Sequence, residues 1–224
     1  MVAFRAILHK DLRLEARGGE STITLAALAL LILVVMVFAL NPAGGERDAG
    51  TAAGALWVAL IFSGMLGATR VLLAERDNGC LGALLVSPLD RATLYGAKLV
   101  ASAIFMIVAQ AAVVLVMVLF FNLDFDARLL RLGAILALGV LGFAALATLL
   151  AAIAGRVRAG EMLLPLLAVP MFVPALIAGV KASGAAIAGE PFAALALWLK
   201  ILVAFDLLFV SAGYLLFEHV IAEE

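Results

Sequence analysis

Six apolar stretches, each close to the length that a helix needs to cross a bilayer, restrict this chain more than any other feature. A hydrocarbon core of about 30 Å requires about 20 apolar residues in a helix. Polar or glycine-rich segments separate the stretches at 41–50, 74–98, 122–128, 155–161 and 181–190. The sequence therefore predicts an all-α integral membrane protein with six transmembrane helices, at roughly Ile23–Leu40, Ala53–Leu73, Leu99–Phe121, Leu129–Ala154, Met162–Val180 and Phe192–Phe217.

Composition supports lipid as the main solvent of the chain. Hydrophobic residues make up 67% of the 224 residues and charged residues 14%, whereas a soluble domain has roughly 45–50% apolar and about 25% charged residues. The net charge of −1 provides no basic field for nucleic acid. With one cysteine, Cys80, and two histidines, we expect neither a disulfide framework nor a protein metal centre.

The distribution of lysine and arginine predicts the orientation. With the N-terminus inside, ten of the 15 basic residues fall in cytoplasmic segments and five in outer segments. Both termini are therefore expected on the cytoplasmic side of a bacterial inner membrane. The outer five are Arg47, Arg128, Arg131, Lys181 and Lys200.

Residues 1–20 predict an amphipathic helix ahead of a transmembrane domain at 21–224. Four apolar residues, Phe4, Ile7, Leu8 and Leu12, fall on one helical face and alternate with charged ones. A basic amphipathic helix of this kind lies in the membrane interface. A simple basic anchor is the alternative, and it predicts the same location.

The segment between the second and third stretches, about 75–90, predicts a short cytoplasmic helix. Charged residues come first, and Leu81, Leu84 and Leu85 follow on one helical face. Ser87-Pro88 ends the helix, because a proline disfavours helical geometry in the residue before it. An exposed leucine face of this type suits docking into the groove of another protein. A solvated loop on the membrane surface is the alternative.

This segment resembles the coupling helix of type-2 ABC exporter permeases. The pattern is Glu75-x-x-x-Gly79-x-Leu81-x-x-Leu84-Leu85-x-Ser87-Pro88-Leu89-x-Arg91, followed by Lys98. Three further runs resemble the haem exporter permease B subunits of bacterial cytochrome c maturation: Lys10-Asp11-Leu12-Arg13-x-Glu15-x-Arg17, Gly54-Ala55-Leu56-Trp57-Val58 and Asn78-Gly79-Cys80-Leu81. These motifs are concentrated in residues 1–100, while length and helix layout match over the whole chain.

The resemblance implies roles for particular residues and a set of partners. A coupling helix containing Glu75, Gly79, Leu81, Leu84, Leu85, Ser87 and Pro88 would dock on a cytoplasmic ABC ATPase subunit, and Lys10, Asp11, Arg13 and Glu15 would lie in the N-terminal amphipathic helix. The implied partners also include other membrane subunits of cytochrome c maturation and a second copy of the chain. The implied role is haem export or release of the loaded haem chaperone, with haem as substrate and no directly bound cofactor.

No nucleotide-hydrolysing or proteolytic motif is present. The chain lacks G-x-x-x-x-G-K-[ST] and H-E-x-x-H, so it is not expected to be an enzyme, and ATP would bind to the partner. Two other functions stay open: a type-2 permease for a drug, lipid or glycan, and a non-transporting scaffold for the ATPase.

Asp206 is the clearest intramembrane candidate for function. It falls near the middle of the sixth stretch, where an ionisable residue is costly and usually faces a cavity or the bundle interior. A structural hydrogen bond to another helix is the alternative. For Gln110 in the third stretch, we expect an interhelical hydrogen bond.

Two further expectations concern the outer half of the chain. Pro165, Pro170 and Pro174 predict a kinked or broken fifth helix, and the segment 182–196 predicts a short re-entrant hairpin or, alternatively, an ordinary interfacial loop. Trp57 is expected in an interfacial aromatic belt.

Overall fold

The computed structural model describes residues 4–5, 7–10, 13, 20–40, 48–77, 91–121, 126–154 and 160–222. Within these ranges all regular secondary structure is helical. Beyond helical residues near the N-terminus, six long helices follow in chain order: α1 Glu20–Leu40, α2 Ala49–Asp77, α3 Arg91–Phe121, α4 Ala127–Ala154, α5 Gly160–Ile187 and α6 Phe192–Ala222.

Each predicted stretch coincides with one of these helices, and the all-α prediction is confirmed for the described residues. Four helices contain segments long and apolar enough to cross a membrane, namely Ala92–Leu119, Ala127–Ala154, Leu164–Ile187 and Phe192–Leu216. The apolar segments in α1 and α2, Ala26–Ala39 and Ala49–Met65, are shorter. These lengths are those of a multi-pass membrane protein.

Aspartates cap two helices on the side that the sequence assigns to the outside. Asp48 precedes α2, and its carboxylate accepts a hydrogen bond from the Thr51 backbone N–H at 3.0 Å. Asp126 precedes α4 and accepts one from the Arg128 backbone N–H at 2.8 Å. Both carboxylates satisfy N–H groups that have no partner inside the helix and interact favourably with its dipole.

The prediction of a re-entrant hairpin at 182–196 is wrong. Residues 182–187 continue α5, and α6 begins at Phe192 after a tight turn. In that turn Glu190 N–H donates to the Ala185 carbonyl at 2.9 Å and Gly189 N–H to that of Ala186 at 3.2 Å. Gly189 has a φ of 74°, which glycine adopts without a Cβ penalty. This capped helix end leaves too few residues for a separate hairpin.

The three prolines lie inside α5, and they do not divide it. Pro165, Pro170 and Pro174 all fall within the continuous helix Gly160–Ile187. Each proline leaves the carbonyl four residues earlier without its helical donor. The prediction of a broken fifth helix is therefore wrong.

Trp57 forms the centre of the bundle and does not lie in an interfacial belt. Its side chain is 0% exposed, and its indole ring packs where Gly139 of α4 and Gly179 of α5 have no side chain. Its Nε1–H donates a hydrogen bond to Ser183 Oγ at 2.9 Å. A single residue of α2 therefore joins α2, α4 and α5, and the belt interpretation is corrected.

The N-terminal residues show the expected amphipathic pattern where they are described. Ile7 is buried in the core cluster, and Phe4 packs against it, next to Gly96 near the start of α3. Arg5 and His9 are exposed on the other side. The apolar face thus lies against the bundle in this structure.

Replacing Gly139 by alanine should destabilise the fold, because the added methyl group collides with the buried Trp57 ring. We expect a loss of about 1–3 kcal/mol, the usual cost of overpacking, measured by thermal unfolding in detergent. Gly133→Ala is the matched control on the same helix, since no atom lies within 4 Å of its added Cβ. Equal stability of the two variants would contradict the packing of Trp57 against Gly139.

Candidate intramembrane site

Tyr95, near the start of α3, connects α4 and α6. Its hydroxyl lies 3.4 Å from the carbonyl oxygen of Ala145 and 3.3 Å from that of Phe209. The phenol ring packs on Gly213, where an added Cβ would collide with it. Backbone carbonyls that are already bonded inside a helix can accept a second donor. The Tyr95 hydroxyl therefore holds Ala145 of α4 and Phe209 of α6 at the same level.

Asp206 lies one turn closer to the start of α6, in the same seam between α4 and α6. Its carboxyl group occupies the space that Gly142 leaves by lacking a side chain. Gly142 and Asp206 each precede the Tyr95 acceptor on their own helix by three residues, which is about 4.5 Å along a helix. The hydroxyl of Tyr95 and the carboxyl of Asp206 therefore form two successive polar layers in one seam.

The carboxyl of Asp206 is buried and has no hydrogen-bond partner among the described residues. The residue is 6% exposed, and neither carboxyl oxygen is paired within that part of the chain. The interhelical hydrogen bond considered as the alternative is thus not formed there. Because an unpaired buried carboxyl is costly, the position fits a role other than stability, and Asp206 remains the intramembrane candidate.

Gln110 departs from the sequence expectation. Its side chain is 4% exposed, yet neither its amide nitrogen nor its oxygen has a partner within the described ranges. The predicted interhelical hydrogen bond is therefore absent from this conformation. Glutamine is often used to join membrane helices, but here its polar atoms are left unsatisfied.

A column of aromatic rings connects Phe205, the neighbour of Asp206 in the chain, with Trp57. Trp57 stacks on Phe172 with ring centroids 6.3 Å apart, and Phe172 meets Phe205 edge-to-face at 5.5 Å. Phe143 contacts Phe172 at 5.0 Å, and Phe209 contacts Phe205 at 4.5 Å. Such ring pairs add about 0.5–1.5 kcal/mol each beyond burial, so α2, α4, α5 and α6 share one connected core.

An apolar groove of about 440 Å³ lies between α5 and α6 and shares Phe205 and Phe209 with this column. From α5 it is lined by Pro170, Met171 and Pro174. From α6 it is lined by Ile201, Ala204, Phe205, Leu208 and Phe209. This groove was not predicted from the sequence, although the prolines and phenylalanines recur at the four-residue spacing that places them on one helical face.

The structure describes only part of the other predicted sites. Glu75 lies in the last turn of α2, which continues to Asp77; Gly79, Leu81, Leu84, Leu85, Ser87 and Pro88 lie outside the described residues. Lys10 and Arg13 are exposed helical residues, whereas Asp11 and Glu15 also lie outside the described part. Among the residues that the structure describes, no group of three His, Cys, Asp or Glu side chains could hold a metal ion.

Comparison with known proteins assigns the family. The family model described as CcmB protein matches residues 2–219, which is almost the whole chain. The chain belongs to the CcmB family. The resemblance to the B-subunit permeases is thereby confirmed.

Curated relatives extend over most of both chains. Heme exporter protein B of Rhodobacter capsulatus is 32% identical over 180 residues, covering 79% of this chain and 80% of the relative. Heme exporter protein B of Paracoccus denitrificans is 30% identical over 192 residues, covering 85% and 87%. The protein of the same name from Bradyrhizobium diazoefficiens is 30% identical over 197 residues, covering 84% of each chain.

Asp206→Asn should not lower the thermal stability of this CcmB-family chain, because no hydrogen bond among the described residues is lost and a costly buried carboxyl is removed. Tyr95→Phe is the control in the adjacent layer and should cost about 0.5–1.5 kcal/mol, since it removes the hydroxyl that contacts two carbonyls. Both changes are measured by thermal unfolding in the same detergent. A large loss of stability in Asp206→Asn would show that the carboxyl is a structural tie.

Proposed function

We propose that this chain is the permease subunit of an ABC transporter complex that exports haem, or releases the haem-loaded chaperone, during cytochrome c maturation. The observation that carries the proposal is the match to the CcmB family over residues 2–219. Relatives named Heme exporter protein B align with most of the chain at about 30% identity. The four long apolar helices support a membrane location.

All six helices cross the bacterial inner membrane, and both termini face the cytoplasm. The apolar segments of α1 and α2 are shorter than those of the other four helices. The complete helices nevertheless have 21 and 29 residues. At about 1.5 Å per residue each is long enough to cross a core of about 30 Å. The excess of lysine and arginine in the inner segments supports this orientation.

ATP binds and is hydrolysed on a separate cytoplasmic subunit, and the segment 75–90 docks on it as a coupling helix. The chain contains no phosphate-binding loop, so it needs an external source of energy. The continuation of α2 to Asp77 supports the mechanism, because a continuous helix connects the Trp57 level with the start of this segment. Movement of the ATPase would then reach the bundle through a rigid element.

The assembly contains a second copy of this chain and further membrane subunits of cytochrome c maturation, together with surrounding lipid. Haem is the substrate, and the chain has no catalytic role of its own. The N-terminal helix, with Lys10, Asp11, Arg13 and Glu15, lies along the cytoplasmic interface beside α3. The position of Phe4 near Gly96 supports that placement.

Replacing Leu84 and Leu85 together by aspartate should abolish co-purification with the co-expressed ATPase subunit, because charged residues replace the apolar docking face. Ala83→Asp is the matched control, since residue 83 falls on the opposite face of a helix through this segment. The amount of chain in the membrane is measured in parallel. Retention of the ATPase by the double variant would exclude the segment as the docking helix.

The orientation predicts opposite results for reporter fusions at two positions. Alkaline phosphatase inserted at Gly189, in the turn between α5 and α6, should be active because that turn faces the periplasm. The same enzyme fused after Glu224 should be inactive, whereas green fluorescent protein fused there should fluoresce. The reverse pattern would invert the proposed topology.

A further inference from the structure

Two lysines lie at the outer end of the apolar groove between α5 and α6. Lys181 follows Pro174 by seven residues, which places both on one face of α5 two turns apart. Lys200 is one turn nearer the start of α6 than the groove residue Ala204, which places both on one side of that helix. Both lysines are exposed. The groove therefore has an apolar length and a cationic end.

The two lysines lie at the same depth. Lys181 is eight residues before Gly189 in the turn, and Lys200 is nine residues after Pro191, so each lies about 12–14 Å from the turn along its helix. Adjacent antiparallel helices thus present two ammonium groups at one level. A pair of this kind matches a ligand with two anionic groups on one edge. A lysine that only extends its ammonium group to the membrane interface would not need a second lysine at the same depth.

We propose that this groove binds the substrate haem, with the apolar macrocycle against Phe205, Phe209 and the prolines, and the two carboxylates on Lys181 and Lys200. The inference rests on the proposed function and names its substrate site. From Ile201 to Phe209 the groove extends about 12 Å along α6, which suits a compact flat ring system. A phosphatidylglycerol molecule has one phosphate and two long chains, and it matches neither the paired charges nor the short length.

Met171 supplies the groove with a side chain that can bind iron. It is the only residue with a haem-ligating side chain among those that line the groove, and it is 39% exposed. A thioether is an established axial ligand of haem iron. The groove therefore combines an apolar surface for the ring, a soft ligand for the metal and cations for the carboxylates.

Haem titration of the full chain in nanodiscs of phosphatidylcholine, followed by absorbance, tests the proposal. The Lys181→Ala/Lys200→Ala variant should bind haem about tenfold more weakly, as expected for two partly exposed charge pairs. Arg5→Ala, which removes an exposed cation of the N-terminal segment far along the chain from the groove, should bind it unchanged. Haem dimethyl ester, whose carboxylates are blocked, should bind wild type and lysine variant alike.

Two further variants test the groove itself. Ala204→Trp fills it and should weaken haem binding, whereas Leu207→Trp, at a position that is 64% exposed and does not line the groove, should not. Met171→Leu should shift the absorbance of bound haem while leaving it bound. Equal binding by Ala204→Trp and wild type, or no effect of the two lysines, would overturn the assignment.

The source of the anionic ligand and the proposed function are separated by two more measurements. If phosphatidylglycerol in the disc removes haem from wild type and the affinity of the lysine variant is independent of that lipid, the groove is a lipid site and the proposal fails. Production of c-type cytochromes in a strain lacking its own subunit is measured in parallel. If haem binding does not depend on the groove and the chain still restores cytochromes, only this inference is wrong; failure to restore them overturns the proposed function.

Discussion

The packing of Trp57 between Gly139 and Gly179 is the contact on which the rest of the bundle depends. An indole ring that is fully buried in apolar surroundings needs both space and a partner for its N–H. The two glycines provide the space, and Ser183 accepts the hydrogen bond at 2.9 Å. Lipid tails are as apolar as leucine, so burial alone does not draw membrane helices together. Close packing and a satisfied polar group supply the specificity, and they fix α2 against α4 and α5.

Helix positions were predictable from the sequence because the bilayer imposes a length and leaves the backbone no other way to satisfy its hydrogen bonds. The side that each helix turns towards its neighbours was less predictable. In α1, Leu31 is 59% exposed and Leu33 is 1% exposed, although both are leucines in the same apolar run. Because lipid and protein interior are both apolar, hydropathy does not separate the two faces. This is why Trp57 was assigned to the interface and the groove between α5 and α6 was missed.

For the polar residues, too, the sequence predicts the position in the helix but not the surroundings. Asp206 was recognisable in the sequence because a carboxyl in an apolar helix is rare and costly. Its surroundings were not recognisable, because the space it occupies comes from the missing side chain of Gly142 on another helix. The interhelical hydrogen bond expected for Gln110 is not formed among the described residues. A glutamine in an apolar helix indicates that polar partners are needed, but the sequence does not say where those partners lie. A polar residue in one helix therefore has to be interpreted together with the small residue that makes room for it in a neighbouring helix.

Among the described residues, a continuous series of contacts connects the groove with the Asp77 end of α2. Phe205 lines the groove and meets Phe172 edge-to-face, and Phe172 stacks on Trp57. Trp57 belongs to α2, which continues as one helix to Asp77. A close-packed core is bistable and not continuously deformable, so α2 cannot move along its axis while the Trp57 ring stays between the two glycines. A displacement of α2 that begins at its Asp77 end must therefore carry Phe172 with it or release the ring, and either change alters the wall of the groove.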